Sequence, residues 1–350
     1  MDALSDVLKT IRLEGAVYLN AEFTAPWCVQ AEYGLAAIRK RLPAAEHVAF
    51  FHYFAQGGCK VPMAGGRAEL TICEGDLLLF PHGDRQVQLM GSDLRLAPID
   101  GGTVVDDAAI ASGEVIALRH GGGGTPTRVI CGYVGCSRSV SRPLFDALPP
   151  VVRIPIGEEP ASAMLRELLR AGVRESAAER PGAESLLAKL SELLFVEALR
   201  RYVESLPPGG HGWLAGVRDP HVGRALALLH GDPARGWTVE ELGRGAALSR
   251  SALAERFTQL VGEPPIQYLM RWRLALAAQA LRSGGESIAR VAGRSGYESL
   301  AAFSRAFKRE FGMPPAAWRD ADPAGEPKAK RAPSGGGGAR APARPARRAR

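Results

Sequence analysis

His47, His52 and His82, together with Gln86, are the side chains of the N-terminal half best suited to coordinate a metal. Catalytic iron, manganese and zinc need several imidazole, thiolate or carboxylate ligands converging on one ion. His47 and His52 lie five apart in the apolar run HVAFFHYFA. That run reads as a strand, so the two rings point to opposite faces. One neutral amide and two scattered histidines make a poor ligand set. No metal, no other cofactor and no catalytic residue is therefore assigned. Thiol chemistry is the second option, from Cys28, Cys59, Cys73, Cys131 and Cys136. An odd count without a secretory leader argues for reduced thiols in a cytoplasm. Cys131 and Cys136 form the one close pair, with no second pair at zinc-site spacing. Five residues apart on a straight strand they face opposite ways, which speaks against a direct disulfide unless Gly132–Gly135 bends. Cys28 is another candidate partner. Each cysteine reads either as a small buried hydrophobe or as a thiolate that meets an oxidant or electrophile. Cys131, Cys136 and Cys28, with His52, His82 and Gln86, make up the candidate sensor set.

These residues sit on short strands. HVAFFHYFA, GGCKVPM, AELTI, GDLLLFP, QVQLM, VIALRH and TRVICGYVG are separated by Gly-Gly, Ala-Gly-Gly and Pro-His-Gly-Asp. Such separators favour turns, and strands this short and regular predict a sandwich or small barrel. In the turn of GDLLLFPHGDRQ, Pro81 fixes φ, Gly83 permits the bend and Asp84 bonds nearby backbone N–H groups. The segment around 100–114 and the glycines at 121–124 read as loops. From Pro160 the pattern turns helical. Residues 183–206 place Leu187, Leu190, Leu194 and Ala198 on one side, and Lys189, Glu192, Arg200 and Glu204 on the other. PPGGHG at 207–212 stops that helix.

An internal repeat then fixes the organisation of the C-terminal part. Residues 247–268 and 297–318 match at an offset of 50: Ser249 with Ser299, Leu253 with Phe303, Phe257 with Phe307, Gly262 with Gly312, Tyr268 with Trp318. One supersecondary unit is used twice. Thr238 with Glu241 forms a capping box, and Ser249, Ser287 and Ser299 are caps. Leu253, Phe257 and Leu260 face inward in the first unit; Phe303, Phe307 and Phe311 do so in the second. Each unit is a helix-turn-helix, whose second helix enters a major groove. A long helix over about Ile266–Arg282 separates them. Two recognition helices about 34 Å apart would meet successive grooves on one side of the duplex. The first turn carries Ala246-Ala247, where a turn of this kind favours a glycine, and Gly243 and Gly245 fall inside the preceding helix.

WTVEELGRGAALSRSALAERFTQLVGEPPIQYL with SIARVAGRSGYESLAAFSRAFKREFGMPPAAWR resembles the AraC/XylS DNA-binding domain. FHYFAQGGC, EGDLLLFPHGD, VICG and RPLFDALPPVVRIP resemble the cupin sensor of the same group, without the metal-binding histidines of cupin enzymes. In cupin enzymes a histidine stands where this chain has Gln86. The resemblance implies base contacts from Ser251, Ala254 and Glu255, and from Leu300, Ala301, Ser304 and Arg305. It implies phosphate contacts from Arg250, Ser299 and Lys308. Arg305 is suited to guanine and Glu255 to a cytosine amino group.

The expected fold is α+β in two domains, a cupin-like β-sandwich or barrel followed by an all-α domain with two helix-turn-helix motifs. The expected boundaries are a sensor at 1–150, a connector at 151–212 with a dimerisation helix at 183–206, a DNA-binding domain at 213–320 with motifs at 238–261 and 287–311, and a disordered basic tail at 321–350. Charge follows this division: of a formal net +7, residues 323–350 carry eight basic side chains and one acid. A tail of that kind adds salt-sensitive affinity for any nucleic acid. The expected function is a cytoplasmic one-component regulator that binds double-stranded promoter DNA. Its expected partners are RNA polymerase, a small-molecule or oxidant effector and a second copy, with no membrane. The rival readings are a cupin metalloenzyme with an appended DNA-binding module, and a nonspecific scaffold that binds through its tail.

Overall fold

The computed structural model describes residues 2–33, 35–63, 68–83, 86–105, 115–156, 163–176, 180–207 and 210–321. Asp84, most of the 100–114 loop and the tail from residue 322 lie outside the described residues.

The chain opens with α1 (Ala3–Ile11), capped by the Asp2 side chain on the Ser5 amide. Two sheets follow, built from β1 (Glu14–Thr24), β2 (Cys28–Ala31), β3 (His47–Gln56), β4 (Cys59–Pro62), β5 (Glu69–Ile72), β6 (Asp76–Phe80), β7 (Gln88–Gly91), β8 (Ile99–Asp100), β9 (Ile116–Gly121), β10 (Pro126–Cys136) and β11 (Val152–Pro155). Short helices α2 (Leu35–Arg41), α3 (Gly101–Val104) and α4 (Arg138–Phe145) interrupt them. The larger sheet runs β11-β6-β3-β10-β1-β9 and the smaller β5-β4-β7-β2-β8. β10 lies antiparallel to both β1 and β3, pairing Cys131 with Leu19 and with His52.

The period of two along the strands sorts side chains between two cores. Val48, Phe50, Phe54, Leu78, Phe80, Val129, Cys131 and Tyr133 fill the space between the sheets. Ala49, Phe51, Leu77, Leu79, Ile130, Val134 and Cys136 face the other way, under helices. The central strands β3, β6 and β10 of the large sheet are therefore buried on both faces, which explains their nearly unbroken apolar runs.

The outer face is covered by α1, α4, α5 (Ala163–Ser176) and α6 (Ala183–Ser205). α6 turns Leu187, Leu190, Leu194 and Ala198 inward. It runs so close to β1 that a Cβ on Gly15 would lie 2.7 Å from the Ala188 carbonyl. The side of α6 read as apolar is thus spent on its own sheet. Leu186 and Leu193 remain exposed with Lys189.

The helical part comprises α7 (Trp213–Arg218), α8 (Val222–Gly231), α9 (Val239–Gly245), α10 (Arg250–Val261), α11 (Pro265–Ser283), α12 (Ile288–Arg294), α13 (Leu300–Phe311) and α14 (Pro315–Asp320). α1 packs on α8 and α4 on α11. Arg282 on α11 reaches Glu46 beside β3 at 2.8 Å, and Gln279 donates to the Thr10 carbonyl at 3.0 Å.

Candidate nucleic-acid interface

α9 and α10 form one helix-turn-helix, and α12 and α13 the other. Each helix start is held by its own sequence. The Thr238 hydroxyl accepts from the Glu241 amide and the Glu241 carboxylate accepts from the Thr238 amide, the capping box read from sequence. Ser249, Ser287 and Ser299 accept from the amides of Ala252, Arg290 and Ala302. Gly262 and Gly312 end α10 and α13 in left-handed conformation, at φ 91 and 75, with their amides turned back to the carbonyls of Thr258 and Lys308.

Leu253 and Phe257 are fully buried, as are Phe303 and Phe307. Leu260 and Phe311 are only partly so, because they stand at the very ends of their helices. In the second unit the rings step along α13, with Phe307 to Phe311 at 4.6 Å and Phe311 to Trp318 at 4.8 Å. In the first, the Tyr268 hydroxyl accepts from Trp213 Nε1 at 2.9 Å and faces His230 Nε2 at 2.7 Å. Tyr268 and Trp318, matched in the repeat, thus close the two cores in the same place.

Burying one face leaves the other outside. Arg250, Ser251 and Glu255 on α10 are exposed and Ala254 is partly so. On α13 Leu300, Ala301, Arg305 and Lys308 are exposed and Ser304 partly so. Ser299 is exposed but its hydroxyl is engaged as the cap. Leu300, 48% exposed, is an apolar side chain held in water on an otherwise polar face. Arg250, Glu255, Arg305 and Lys308 make no side-chain hydrogen bond or ion pair among the described residues. Arg256 differs: its Nε donates to Asp219 at 2.9 Å, which makes it part of the scaffold.

The two turns are not copies. Ala247 takes φ 56 in the first and Gly296 φ 75 in the second. The amide after each bends back to the preceding helix, Leu248 to Gly243 and Tyr297 to Ala292. The offset across these turns is 49, not the 50 that holds from Ser249 and Ser299 onward, because Glu298 is an extra residue in the second turn. Gly243 has a reason to lack a side chain: a Cβ there would lie 2.9 Å from the Leu248 carbonyl.

Of the candidate sensor residues, His52 and Cys131 meet, while Cys136 and His82 lie elsewhere. His52 points between the sheets, where Nδ1 is 2.9 Å from Cys131 Sγ and Nε2 is 2.8 Å from Gln88 Oε1. Gln88 can only accept through that oxygen, so Nε2–H donates to it and Nδ1 accepts a hydrogen bond from the Cys131 S–H. Burial holds the His52 ring neutral, with its pKa lowered to about 4, and pushes the Cys131 thiol far above the ordinary thiol range. Cys59 is raised for the same reason first, and Cys28 likewise. Oxidation needs thiolate, so these three thiols are protected as they stand. Cys136 lies on the opposite face of β10 from Cys131, as the spacing predicts, and all five cysteines are free.

His82 lies outside the sandwich, with Nε2 3.2 Å from the Leu148 carbonyl and its ring near His47. Gln86 is half-buried with its Oε1 unpartnered; Gln88, two residues on, is the amide that reaches His52. Gly83 lies in the expected turn and has a further reason to lack a side chain, since a Cβ would strike the Phe50 ring at 2.2 Å. Among the described residues no three His, Cys, Asp or Glu side chains converge as metal ligands. A 480 Å³ cavity lies where α4 and Glu46 meet α11 and α14, between Arg142, Trp272, Arg282 and Trp318.

Comparison with known proteins finds two family matches along the chain. Residues 2–204 match the cupin family and residues 242–321 a helix-turn-helix domain. An AraC-like transcription regulator of Streptomyces lividans is 36% identical over 320 residues, covering 91% of this chain and 98% of the relative. The regulator AlkR of Acinetobacter baylyi is 30% identical, covering 91% and 99%. Among solved structures, the DNA-binding domain of AdpA in complex with a target DNA is 34% identical, covering 29% of this chain and 90% of that one, with a TM-score of 0.28.

Proposed function

The chain belongs to the AraC-like transcription regulators, with a cupin ahead of its helix-turn-helix domain, and on that premise we propose that α10 and α13 read adjacent major grooves on one side of promoter DNA. The observation that carries this reading is the pair of capped helices, each with one buried apolar face and one uncommitted outer face. Ser251, Ala254 and Glu255 meet bases in the first groove, and Leu300, Ala301, Ser304 and Arg305 in the second. Leu300 suits a thymine methyl and Arg305 the two acceptors of guanine. Arg250 and Lys308 contact phosphates, and Ser299 does so only with what its capping role leaves free.

In this reading residues 1–150 receive the signal, 151–212 form the connector and 213–320 bind DNA. The effector is a small molecule or an oxidant. A small molecule seated in the cavity beside α11 would touch both parts, and so could favour one arrangement of them. An oxidant would have to open the sandwich before reaching Cys131. RNA polymerase is the partner on the promoter, the exposed Leu186 and Leu193 of α6 are the surface left for a second copy, and the cytoplasm is the compartment. No catalytic step is assigned.

The test is selection of binding sites from random duplexes with the full chain. We expect a bipartite sequence, with Arg305→Ala and Leu300→Ala each relaxing one base preference at a cost of about 1–3 kcal/mol. A selection that returns no sequence preference sinks the reading.

A further inference from the structure

Residue 273 stands at the seam between two hydrophobic cores. Along α11, Tyr268, Leu269 and Trp272 pack with Leu242, Leu253 and Phe257 of the first unit. Leu274, Ala277, Ala278 and Leu281 pack with Val291, Phe303 and Phe307 of the second. The two units share a helix but not a core. Their relative placement rests on the stiffness of α11 and on polar contacts at the junction.

Arg273 makes those contacts. Its Nε donates to the Pro233 carbonyl at 2.5 Å, and Nη2 donates to the carbonyls of Arg235 at 2.7 Å and Ala234 at 3.3 Å. These three carbonyls belong to the loop that leads into the first unit. The loop is tied onward, because the Arg235 guanidinium lies 4.0 Å over the Trp237 ring and reaches Glu241 at 3.1 Å. Glu241 in turn closes the capping box of α9.

From the other side, the turn of the second unit descends on the same guanidinium. A Cβ on Gly296 would lie 3.0 Å from Arg273 Cζ, 3.1 Å from Nη1 and 3.2 Å from the Ala234 carbonyl. Glycine is favoured there both by φ and by this approach. A planar guanidinium can hold several carbonyls at once in a fixed fork; an ammonium is a point donor.

We infer that Arg273 is a positioning residue for DNA recognition, which locks the turn of the second helix-turn-helix to the entry loop of the first and so fixes the half-site spacing the protein accepts. It touches no base itself. The inference rests on the reading that α10 and α13 both enter DNA.

The experiment uses the full chain and the bipartite site returned by selection. Affinity is measured on duplexes with the native spacer and with one base pair added or removed, for wild type, Arg273→Ala, Arg273→Lys and Gly296→Ala. One base pair displaces a half-site by about 3.4 Å and about a tenth of a helical turn. Wild type is expected to lose at least about tenfold on either altered spacer. Arg273→Ala and Gly296→Ala are expected to lose less than about threefold on the same change while keeping the base preferences within each half-site, with Arg273→Lys between. A uniform loss of affinity with the wild-type spacing penalty intact would reduce Arg273 to a stabilising residue and overturn the inference. Should Arg273→Ala fail to fold, Gly296→Ala decides the question from the other unit. A wild-type selection that yields a single half-site is instead a failure of the two-helix reading, and the inference falls with it.

Discussion

Between the two sheets, His52 accepts a hydrogen bond from the Cys131 thiol on one nitrogen and donates one to the Gln88 carbonyl oxygen from the other. The network works only with a neutral ring, and burial keeps it neutral. The same cause holds His230 at about 4 in the helical part, where the ring stacks on Trp272 at 4.5 Å. Both folded values lie below the unfolded value near 6.5. Stability from keeping each ring neutral is therefore fully present above pH 6.5 and is lost as pH falls toward 4. We expect wild type to lose about 2 kcal/mol more than His52→Gln between pH 7 and pH 5, measured by denaturant unfolding at each pH. Equal losses would mean the ring accepts its proton in the folded state. The histidine and cysteine positions were legible at this scale, but their partners were not. Gln86 stood out by position in the turn, whereas Gln88 matters because the packing of the smaller sheet on the larger brings it to His52 from 36 residues away.

Capping and turn chemistry account for how the paired helices were legible from sequence. Serine or threonine at each start, glycine at the end of each second helix and proline at the next helix start are local signals, and the backbone used them locally. The misread detail was the turn, where a constant offset hid the extra Glu298. Ala247 pays for the shorter turn with a left-handed backbone that alanine disfavours. Ala247→Gly should therefore raise stability by roughly 1 kcal/mol, read as a higher unfolding midpoint with unchanged slope. A lower midpoint would place the gain in unfolded-chain entropy above the strain relieved. Helix α6 shows the limit of periodicity: its apolar stripe was plain, but whether that stripe covers the chain's own sheet or a second copy depends on where β1 lies.

Across the whole molecule, the first helix-turn-helix shares a core with the outer layer of the cupin while the second has its own. The second unit meets the cupin through Arg282, which pairs with Glu46 and lies 4.2 Å over the Trp318 ring. Glu46 also accepts from the Arg138 amide at 3.0 Å at the start of α4. Both members of the pair are largely buried, 8% and 18% exposed, so removing one strands the other. We expect Glu46→Gln and Arg282→Gln each to destabilise by about 3 kcal/mol and the double variant by clearly less than their sum. Additive losses in that double-mutant cycle would show that the two side chains do not depend on each other. A pair at this seam is also where a signal in the cupin would reach α11, the helix that carries both DNA-reading units.

Sequence alone determined what is settled within one or two turns of chain: which segments alternate as strands, where helices start and stop, that one unit occurs twice, and which helix faces are polar. Those outcomes follow from backbone propensities and side-chain period, which need no distant partner. Tertiary structure decided which thiols are shielded, which amide meets His52, what α6 covers and which arginines belong to the scaffold. Arg256, Arg273 and Arg282 look alike in the sequence as exposed helical cations. Only the approach of Asp219, of the Pro233–Arg235 carbonyls and of Glu46, each remote along the chain, gives them different work.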